Sequence, residues 1–568
     1  MKVLPYGEDG AYVDLEAGDA PDRAPRTHAL AAALRAAFPD ADVVTGAGVV
    51  AVFGAQASAV ETTLTGLRVT SPDAYTSSPD AYTSPRNVYA SSPNVYTSTV
   101  APRSHVIDVA YDGPDLDDIA ARTGLSRAAV IDLHTGREHV VELIGFLPGF
   151  AYMGPVDPRL VLPRRPAPRP RVEAGTVAIA GAFTGIYPLA SPGGWNLLGA
   201  SHGPRPFDPS RADPFLFSPG DRVRFRSSVS LESVAPPVSP AAPAASAPHA
   251  PSLAAPRANP AAHALIIARA AGIATLQDAG RTGLLGKGMP PSGPLDPPLF
   301  LAANRAAGNP PGAAAIELLA GSLVLRARGT VGLSIDGAPA RALREGEELH
   351  IPEGPFAVRY IAVTGGIAVP LVLGARATLL TARIGGIAGR PLRNADILPI
   401  LDPALIASPA ALSAHAASLV LETLHASDAP PALIGIDSSL VDPTAPLLVD
   451  PGPHLDRFPP EAFDRLLTTD WHISPVRDRT GARLAGPPIP RTGPDLAAPV
   501  PMRRGAIQIT TDGTPIVLGP DHPTTGGYPV LAVVCTDSLG PLARKRPGAL
   551  VRFSPSARRM LRSLPTLS

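Results

Sequence analysis

Across 568 residues the chain holds a single cysteine, Cys535, which rules out an intramolecular disulfide and a zinc–thiolate cluster. Lysine is almost absent: Lys2, Lys287 and Lys545 are the whole complement, and arginine carries the other basic charges. With alanine and proline abundant, this bias is a habit of composition, so no arginine is read as an anion site from its presence alone. Charged residues reach only 17%, and Lys+Arg equals Asp+Glu at 49 each. There is no basic field to draw in nucleic acid and no acidic tail. Long apolar runs are missing too. The stretch YIAVTGGIAVPLVLG is broken by Gly and Pro and is too short to span a bilayer. The N-terminal MKVLPYGEDGAYV lacks the apolar core of a secretory signal. These absences predict a cytoplasmic protein without membrane or nucleic-acid partners; homo-oligomerisation is left open.

Several catalytic signatures are absent as well. There is no GxSxG elbow, no HExxH and no GxGxxG after a strand. GRTGLLGKG resembles a phosphate loop, but Gly288 stands where Ser or Thr should follow the lysine. The 13 histidines show no metal-ligand spacing, so no metal site is predicted, and His134 is placed to cap a helix end.

What is present is an echo. GTVAIAG, TGIYP and PGDRVRF in the first half return as GAIQIT, TGGYP and PGALVRF more than three hundred residues later, in the same order. That order predicts two related β domains and directs attention to the space between them. The reading by segment is a small α/β unit over 1–68 and a Ser/Pro/Tyr repeat over 69–100 with Tyr75, Tyr82, Tyr89 and Tyr96 seven apart. A barrel-like unit follows over 101–227, a Pro/Ala linker over 228–262, a second β unit over 263–556 and a tail over 557–568. Helices are expected at LDDIAART, RAAVIDLH (with Ser126 as N-cap) and LFLAANRAAG, with EAFDRLL a further candidate.

Three first-half segments carry candidate chemistry. GFLPGFAYMG offers Pro148, Gly149, Phe150 and Tyr152 as the wall of a pocket, or as a packed turn under the barrel. PRRPAPRPRV sets Arg164 and Arg169 beside a strand, as ligands for carboxylate or phosphate or as a solvated face. ASPGGWNLLG combines Ser191, Gly193 and Gly194 with Trp195, giving backbone donors and a stacking plane, or a tight hairpin over a core tryptophan. In the second half, TLQDAGRTGLLGKGMPPSGPLDPP concentrates Gln277, Asp278, Arg281, Ser292 and Asp296 between glycines. Asp278 and Arg281 are spaced to pair with each other or to face a ligand. Asp296 precedes Pro297-Pro298 and an apolar helix, where an N-cap aspartate belongs.

Taken together, these motifs resemble a known family. GFLPGFAYMG, PRRPAPRPRV and TGIYPLASPGGW are similar to the B-type component of prokaryotic ATP-dependent 5-oxoprolinase, the allophanate hydrolase subunit 1 or KipI type. TLQDAGRTGLLGKG, SGPLD, AANRAAGN, IELLAG, GPHLDRF and TTGGYP are similar to the C-type component, the allophanate hydrolase subunit 2 or KipA type. The resemblance implies a fused B–C chain, mainly β with α/β portions: two tandem cyclophilin-like β-barrel domains plus the small N-terminal α/β domain. It implies ATP with Mg²⁺ as cofactor, a separate A-type 5-oxoprolinase component as partner, and a lactam substrate, 5-oxoproline, opened to glutamate. Asp278, Arg281 and Asp296 become catalytic candidates, and Arg479 and Tyr528 join the binding candidates. Two rivals remain: a biotin-dependent carboxyltransferase like that of urea carboxylase, and a KipI-like inhibitor of a sensor kinase. The chain departs from the family pattern at Phe183 and Glu173, where Gln and Pro are usual. It departs again at GARAT, where a Ser-rich turn is common, and at His522-Pro523, where Arg-Gln is more usual. These departures bear on substrate choice.

Overall fold

The computed structural model describes residues 1–18, 20, 22–68, 102–228, 263–400 and 445–557, with side chains left aside at 66–68. The tyrosine repeat, nearly all of the Pro/Ala linker and nearly all of the tail lie outside the described residues.

The first half closes a seven-stranded barrel. In chain order its strands are Ser104–Ala110, Glu138–Ile144, Ala151–Gly154, Thr176–Ala180, Phe183–Ile186, Asn196–His202 and Arg222–Ser227. Around the barrel they run fifth, third, second, seventh, first, sixth, fourth and back to the fifth. The second half repeats this order with Leu447–Pro451, Trp471–Arg477, Gly481–Ala485, Ala506–Ile509, Pro515–Leu518, Val530–Val534 and a last strand split into Leu550–Val551 and Phe553–Pro555. In each barrel the last strand runs parallel to the first, pairing Arg222 with Ser104 and Phe553 with Leu447. The two-barrel expectation therefore holds at the level of topology.

One echo, however, is not a structural equivalence. Thr184-Gly185-Ile186 lies on the fifth strand of the first barrel, with Tyr187 just after it, whereas Thr525-Gly526 pairs with Val500-Pro501 in a short ribbon. The first barrel's matching ribbon joins Ser191–Gly193 to Arg169–Val172. The proper counterpart of Gly526-Gly527-Tyr528 is thus Gly193-Gly194-Trp195, each leading into the sixth strand.

Two further bodies flank the barrels. Residues 264–399 form a separate sheet around the paired strands Ala264–Gln277 and Ala315–Arg328, with its own apolar core. The helix Pro297–Ala306 lies against the strand Val358–Val363 of that sheet, and helices also appear at Ala462–Thr468 and Thr536–Arg544. The last of these was not foreseen, because Pro541 sits inside it. The N-terminal unit is a four-stranded antiparallel sheet with helices Arg23–Ala37 and Ala57–Arg68. No helix among the described residues is long and apolar enough to cross a membrane.

That N-terminal unit touches both barrels. Tyr6, Tyr12, Val49 and Phe53 pack with Val500, Met502, Val530 and Val533 of the second barrel. Toward the first barrel, Arg23 pairs with Glu142 at 2.8 Å and His28 bonds the Glu142 carbonyl at 2.7 Å. At the second barrel, His454 Nδ1 accepts from the Val530 N–H at 3.1 Å. That leaves Nε2 to donate to the Tyr12 hydroxyl at 3.2 Å. Burial holds this imidazole down to about 4. An unfolded chain takes up the proton near pH 6.5, so the neutral fold loses stability as pH falls from there toward 4. The loss at pH 4 from this residue is on the order of 3 kcal/mol. Urea unfolding at pH 7 and pH 4.5 should show the decline, and His454→Gln should lessen it by this residue's share, since buried His522 and His134 titrate the same way.

Candidate functional site

The second-half motif begins where the strand Ala264–Gln277 leaves its sheet. Asp278 turns the chain there. Its Oδ1 accepts from the N–H groups of Gly280 at 3.0 Å and Ala377 at 3.1 Å, and its Oδ2 from that of Arg376 at 2.5 Å. Burial raises the carboxyl above the usual range, against the pull of those N–H groups and of Arg281 and Arg376. Asp278 therefore ties the 278–281 turn to the 375–377 loop.

Arg281 does not bond to Asp278. Its Nε donates to the Val372 carbonyl at 3.1 Å and its Nη2 to the Ala377 carbonyl at 2.7 Å. Nη1 is buried with no partner among the described residues. Gln277 commits its amide nitrogen to Thr275 Oγ1 at 3.0 Å and the Thr378 carbonyl at 3.1 Å, leaving Oε1 unpartnered among them. Ser292 Oγ and Thr378 Oγ1 are likewise buried and unpartnered there.

Backbone contacts gather these four side chains. Thr378 and Ala377 hold Gln277 and Arg281, and the Arg281 N–H donates to Pro291, next to Ser292, at 2.7 Å. An unpaired buried polar group costs about 1–3 kcal/mol, so four in one neighbourhood form a deficit that ligand atoms would remove. The surrounding backbone is strained as well. Ser292 (φ 60°), Leu373 (54°), Arg383 (54°) and Ala388 (53°) all occupy the left-handed region. Side-chain-bearing residues avoid that region unless the surroundings hold them there, and such strain concentrates at ligand sites.

Behind the cluster lies an ionic group that composition alone could not locate. Arg479 binds both Asp521 oxygens at 2.8 and 3.1 Å, Glu317, and the Gly293 carbonyl at 2.8 Å. Burial works to lower its pKa, but the two carboxylates win and raise it. Asp296 caps its helix through the Leu299 N–H at 3.0 Å and pairs with Arg544 at 2.6 Å. Both of its oxygens are engaged, so the N-cap reading describes it. Asp521, Arg544 and Thr378 were not singled out as site residues. Thr378 is the last residue of the GARAT departure, the one signal that pointed to it.

The first-half candidates disperse. Phe150, Tyr152, Tyr187 and Trp195 are core residues packed edge to face, with Phe150 and Trp195 centroids 5.3 Å apart. The GFLPGFAYMG loop is a seam between the halves. Its Gly149 N–H donates to the Lys287 carbonyl at 2.9 Å. Cβ atoms on Gly145 and Gly288 would stand 2.1 Å from Thr525 Oγ1 and 2.3 Å from the Leu147 carbonyl. Pro148 belongs to this packed turn. Arg169 pairs with Asp115 at 2.6 Å, beside Arg165 at 2.9 Å, so it braces the barrel. Gly193 lies against the Tyr187 hydroxyl, Gly194 accepts from the Arg165 N–H, and Ser191 bonds the Pro192 carbonyl at 3.2 Å. Arg164 is exposed and has no ion pair among the described residues, and Tyr528 is half-buried.

Tandem barrels of one topology, joined across a seam of glycines and apolar side chains, define a two-part domain. Residues 1–217 match the family described as carboxyltransferase domain, subdomain C and D, and residues 287–555 that described as subdomain A and B. The chain belongs to the carboxyltransferase-domain family, with the two parts fused in one polypeptide. It is 47% identical over 129 residues to the B subunit of 5-oxoprolinase from Escherichia coli, covering 22% of this chain and 59% of that protein. It is 29% identical over 304 residues to the C subunit of 5-oxoprolinase from Escherichia coli, covering 51% of this chain and 90% of that one. The urea amidolyase of Lachancea kluyveri is 31% identical over 318 residues, covering 51% of this chain and 17% of the relative. The chain thus spans between half and three-fifths of the B-type relatives it matches. The crystal structure of TTHA0988 superposes with a TM-score of 0.71 at 31% identity, over 96% of this chain and 99% of that one.

The Arg479 group sets a stability test. Arg479→Met leaves Glu317 and Asp521 buried without their cation, which should cost about 3–5 kcal/mol. Arg164→Ala, at the exposed arginine, should stay within about 0.5 kcal/mol of the parent. Urea denaturation midpoints of the two variants provide the comparison.

Proposed function

We propose that this chain is the fused B–C component of an ATP-dependent 5-oxoprolinase, working with a separate A-type component, and that the Gln277–Arg281–Ser292–Thr378 cluster holds the lactam. The observation that carries the reading is the inventory of unpartnered atoms. 5-Oxoproline presents a carboxylate, a ring carbonyl and one ring N–H. Arg281 Nη1 and the Ser292 hydroxyl supply donors for the carboxylate, the Thr378 hydroxyl a donor for the carbonyl, and Gln277 Oε1 an acceptor for the N–H. Urea has no carboxylate, so it offers the buried Arg281 donor only a neutral carbonyl in place of a charge-matched partner. Similarity to the B and C subunits of 5-oxoprolinase supports the same reading, whereas similarity to urea amidolyase supports the carboxyltransferase alternative.

All four atoms are covered, so the strained 372–390 segment must shift to admit a ligand. ATP, when bound, supplies the activation that a weakly electrophilic lactam carbonyl needs. Trp195, read above as a stacking plane, is buried against Phe150 and offers no open face. The reading assigns lactam binding and orientation to this chain, with ATP and Mg²⁺ as the cofactor of the assembled enzyme.

Mixing the chain with an A-type component, ATP, Mg²⁺ and 5-oxoproline should release glutamate only when both proteins are present. Arg281→Lys should raise KM about tenfold or more while the protein stays folded, since loss of one charged hydrogen bond costs about 1.5–3 kcal/mol. No glutamate from two folded proteins, or an unchanged KM in the variant, would sink the proposal. Carboxyl transfer from carboxybiotin to urea would replace it with the alternative.

A further inference from the structure

A small cleft with about 30 Å³ of free volume opens on the second barrel, lined by Arg477, Arg504, Asp478, Leu295 and Pro520 among others. Arg477 ends the strand Trp471–Arg477 and donates to the carbonyls of Ala543 (Nη2, 3.1 Å) and Lys545, at the C-terminal end of the helix Thr536–Arg544. Its Nε is buried and has no partner among the described residues. Arg504, in the turn before Ala506–Ile509, donates from Nη2 to the Leu295 carbonyl at 2.8 Å.

Neither guanidinium forms an ion pair with a carboxylate among the described residues. The buried acids nearby are already engaged: Glu317 and Asp521 with Arg479, and Asp296 with Arg544. Asp478, the acid on the cleft wall, is exposed, and its Oδ1 accepts the N–H groups of Thr480 at 2.7 Å and Gly481 at 3.2 Å. Burial holds Arg504 down to about 10, which still leaves it charged at neutral pH. Two cations thus share one cleft, and the acids that act on Arg504, Glu317 and Asp296, do so without a direct ion pair to it among the described residues.

We infer that this cleft binds one small oxyanion, of the size and charge of phosphate, between Arg477 and Arg504. Guanidinium groups suit tetrahedral oxyanions because their N–H donors are planar and fixed in direction. The volume matches that of about one or two waters, so it takes a single anionic group and excludes a nucleoside. The site is separate from the lactam cluster, since Gln277, Arg281, Ser292 and Thr378 do not line it. Its success or failure leaves that reading untouched.

The test is thermal unfolding of the full chain in rising inorganic phosphate, with chloride lowered to hold ionic strength constant. Saturating phosphate should raise Tm by about 2–4 °C. The rise should vanish in Arg504→Met and shrink in Arg504→Lys. Arg477→Met also removes contacts at a helix end and starts from a lower Tm, so its readout is the phosphate-dependent shift, which should vanish too. ATP at the same concentration should give no shift. Absence of a phosphate-specific rise, a rise that survives both methionine substitutions, or a shift with ATP alone would overturn the inference.

Discussion

The second half is organised around one buried cation. Taking an arginine out of water costs several kcal/mol, and a single carboxylate rarely recovers that. Arg479 recovers it through two carboxylates and a carbonyl, and each comes from a different part of the chain. Glu317 belongs to the flanking sheet, Gly293 to the loop before the helix Pro297–Ala306, and Asp521 to the barrel loop ahead of Thr524-Thr525. Glu317 passes the constraint on, accepting from the Leu295 N–H at 2.9 Å and the Tyr360 hydroxyl at 2.6 Å. The segment carrying Ser292 is thereby pinned at both of its neighbours. Its left-handed φ persists because these bonds over-determine it.

The seam between the halves follows a different physics. Glycines at 145 and 288 let backbone approach backbone and side chain at distances that any Cβ would block. Apolar contacts then fill in around them: Phe207 and Phe215 of the first half pack with Met289, Leu379, Ala382 and Ile384 of the second. The Gly-Pro density of GFLPGFAYMG, which suggests a pocket wall as readily as a packed turn, serves here to join two domains. A pocket and an interface place the same demands on sequence, flat apolar rings and permissive backbone, so composition cannot separate them. Only the position of the Lys287 carbonyl does.

Much of the fold was legible because it rests on local signals. Alternating apolar residues marked strands, Ser126 marked a helix start that the structure confirms through the Ala129 N–H at 3.1 Å, and Pro297-Pro298 after Asp296 marked another. The repeat disclosed two related barrels, yet its most conspicuous member misled. Thr-Gly-x-Tyr-Pro occurs on a barrel strand in one half and in a ribbon in the other, and short strings recur wherever Gly and Pro punctuate strands. Pairing partners, which are non-local, decide equivalence, and they match Trp195 with Tyr528. The same limit governs the site. Gln277, Arg281 and Ser292 were visible because they crowd one segment, whereas Thr378 and Asp521 come from distant loops. Asp296 and Arg169 show the complementary point, that a charged residue in a dense motif can be a cap, as the Asp-Pro-Pro order indicates, or a brace.

The contrast among the buried arginines is the most informative comparison in the molecule. Arg479 and Arg544 have carboxylates and hold the fold together. Arg281 has only carbonyls and a bare Nη1 among the described residues, and it stands beside three more unpartnered side-chain atoms. If packing alone had shaped that neighbourhood, an apolar side chain in place of Arg281 would fill the space without the cost of burying a charge. Burial depresses its pKa, as expected for a cation whose surroundings do not neutralise it. The nearest acid, Asp278, directs its oxygens to backbone N–H groups. The fold thus supplies a carboxylate close enough to steady Arg281 electrostatically, yet leaves Nη1 unclaimed among the described residues. That division favours a visiting anion over an internal partner, because an internal ion pair at Arg281 would have to be broken before a ligand could bind.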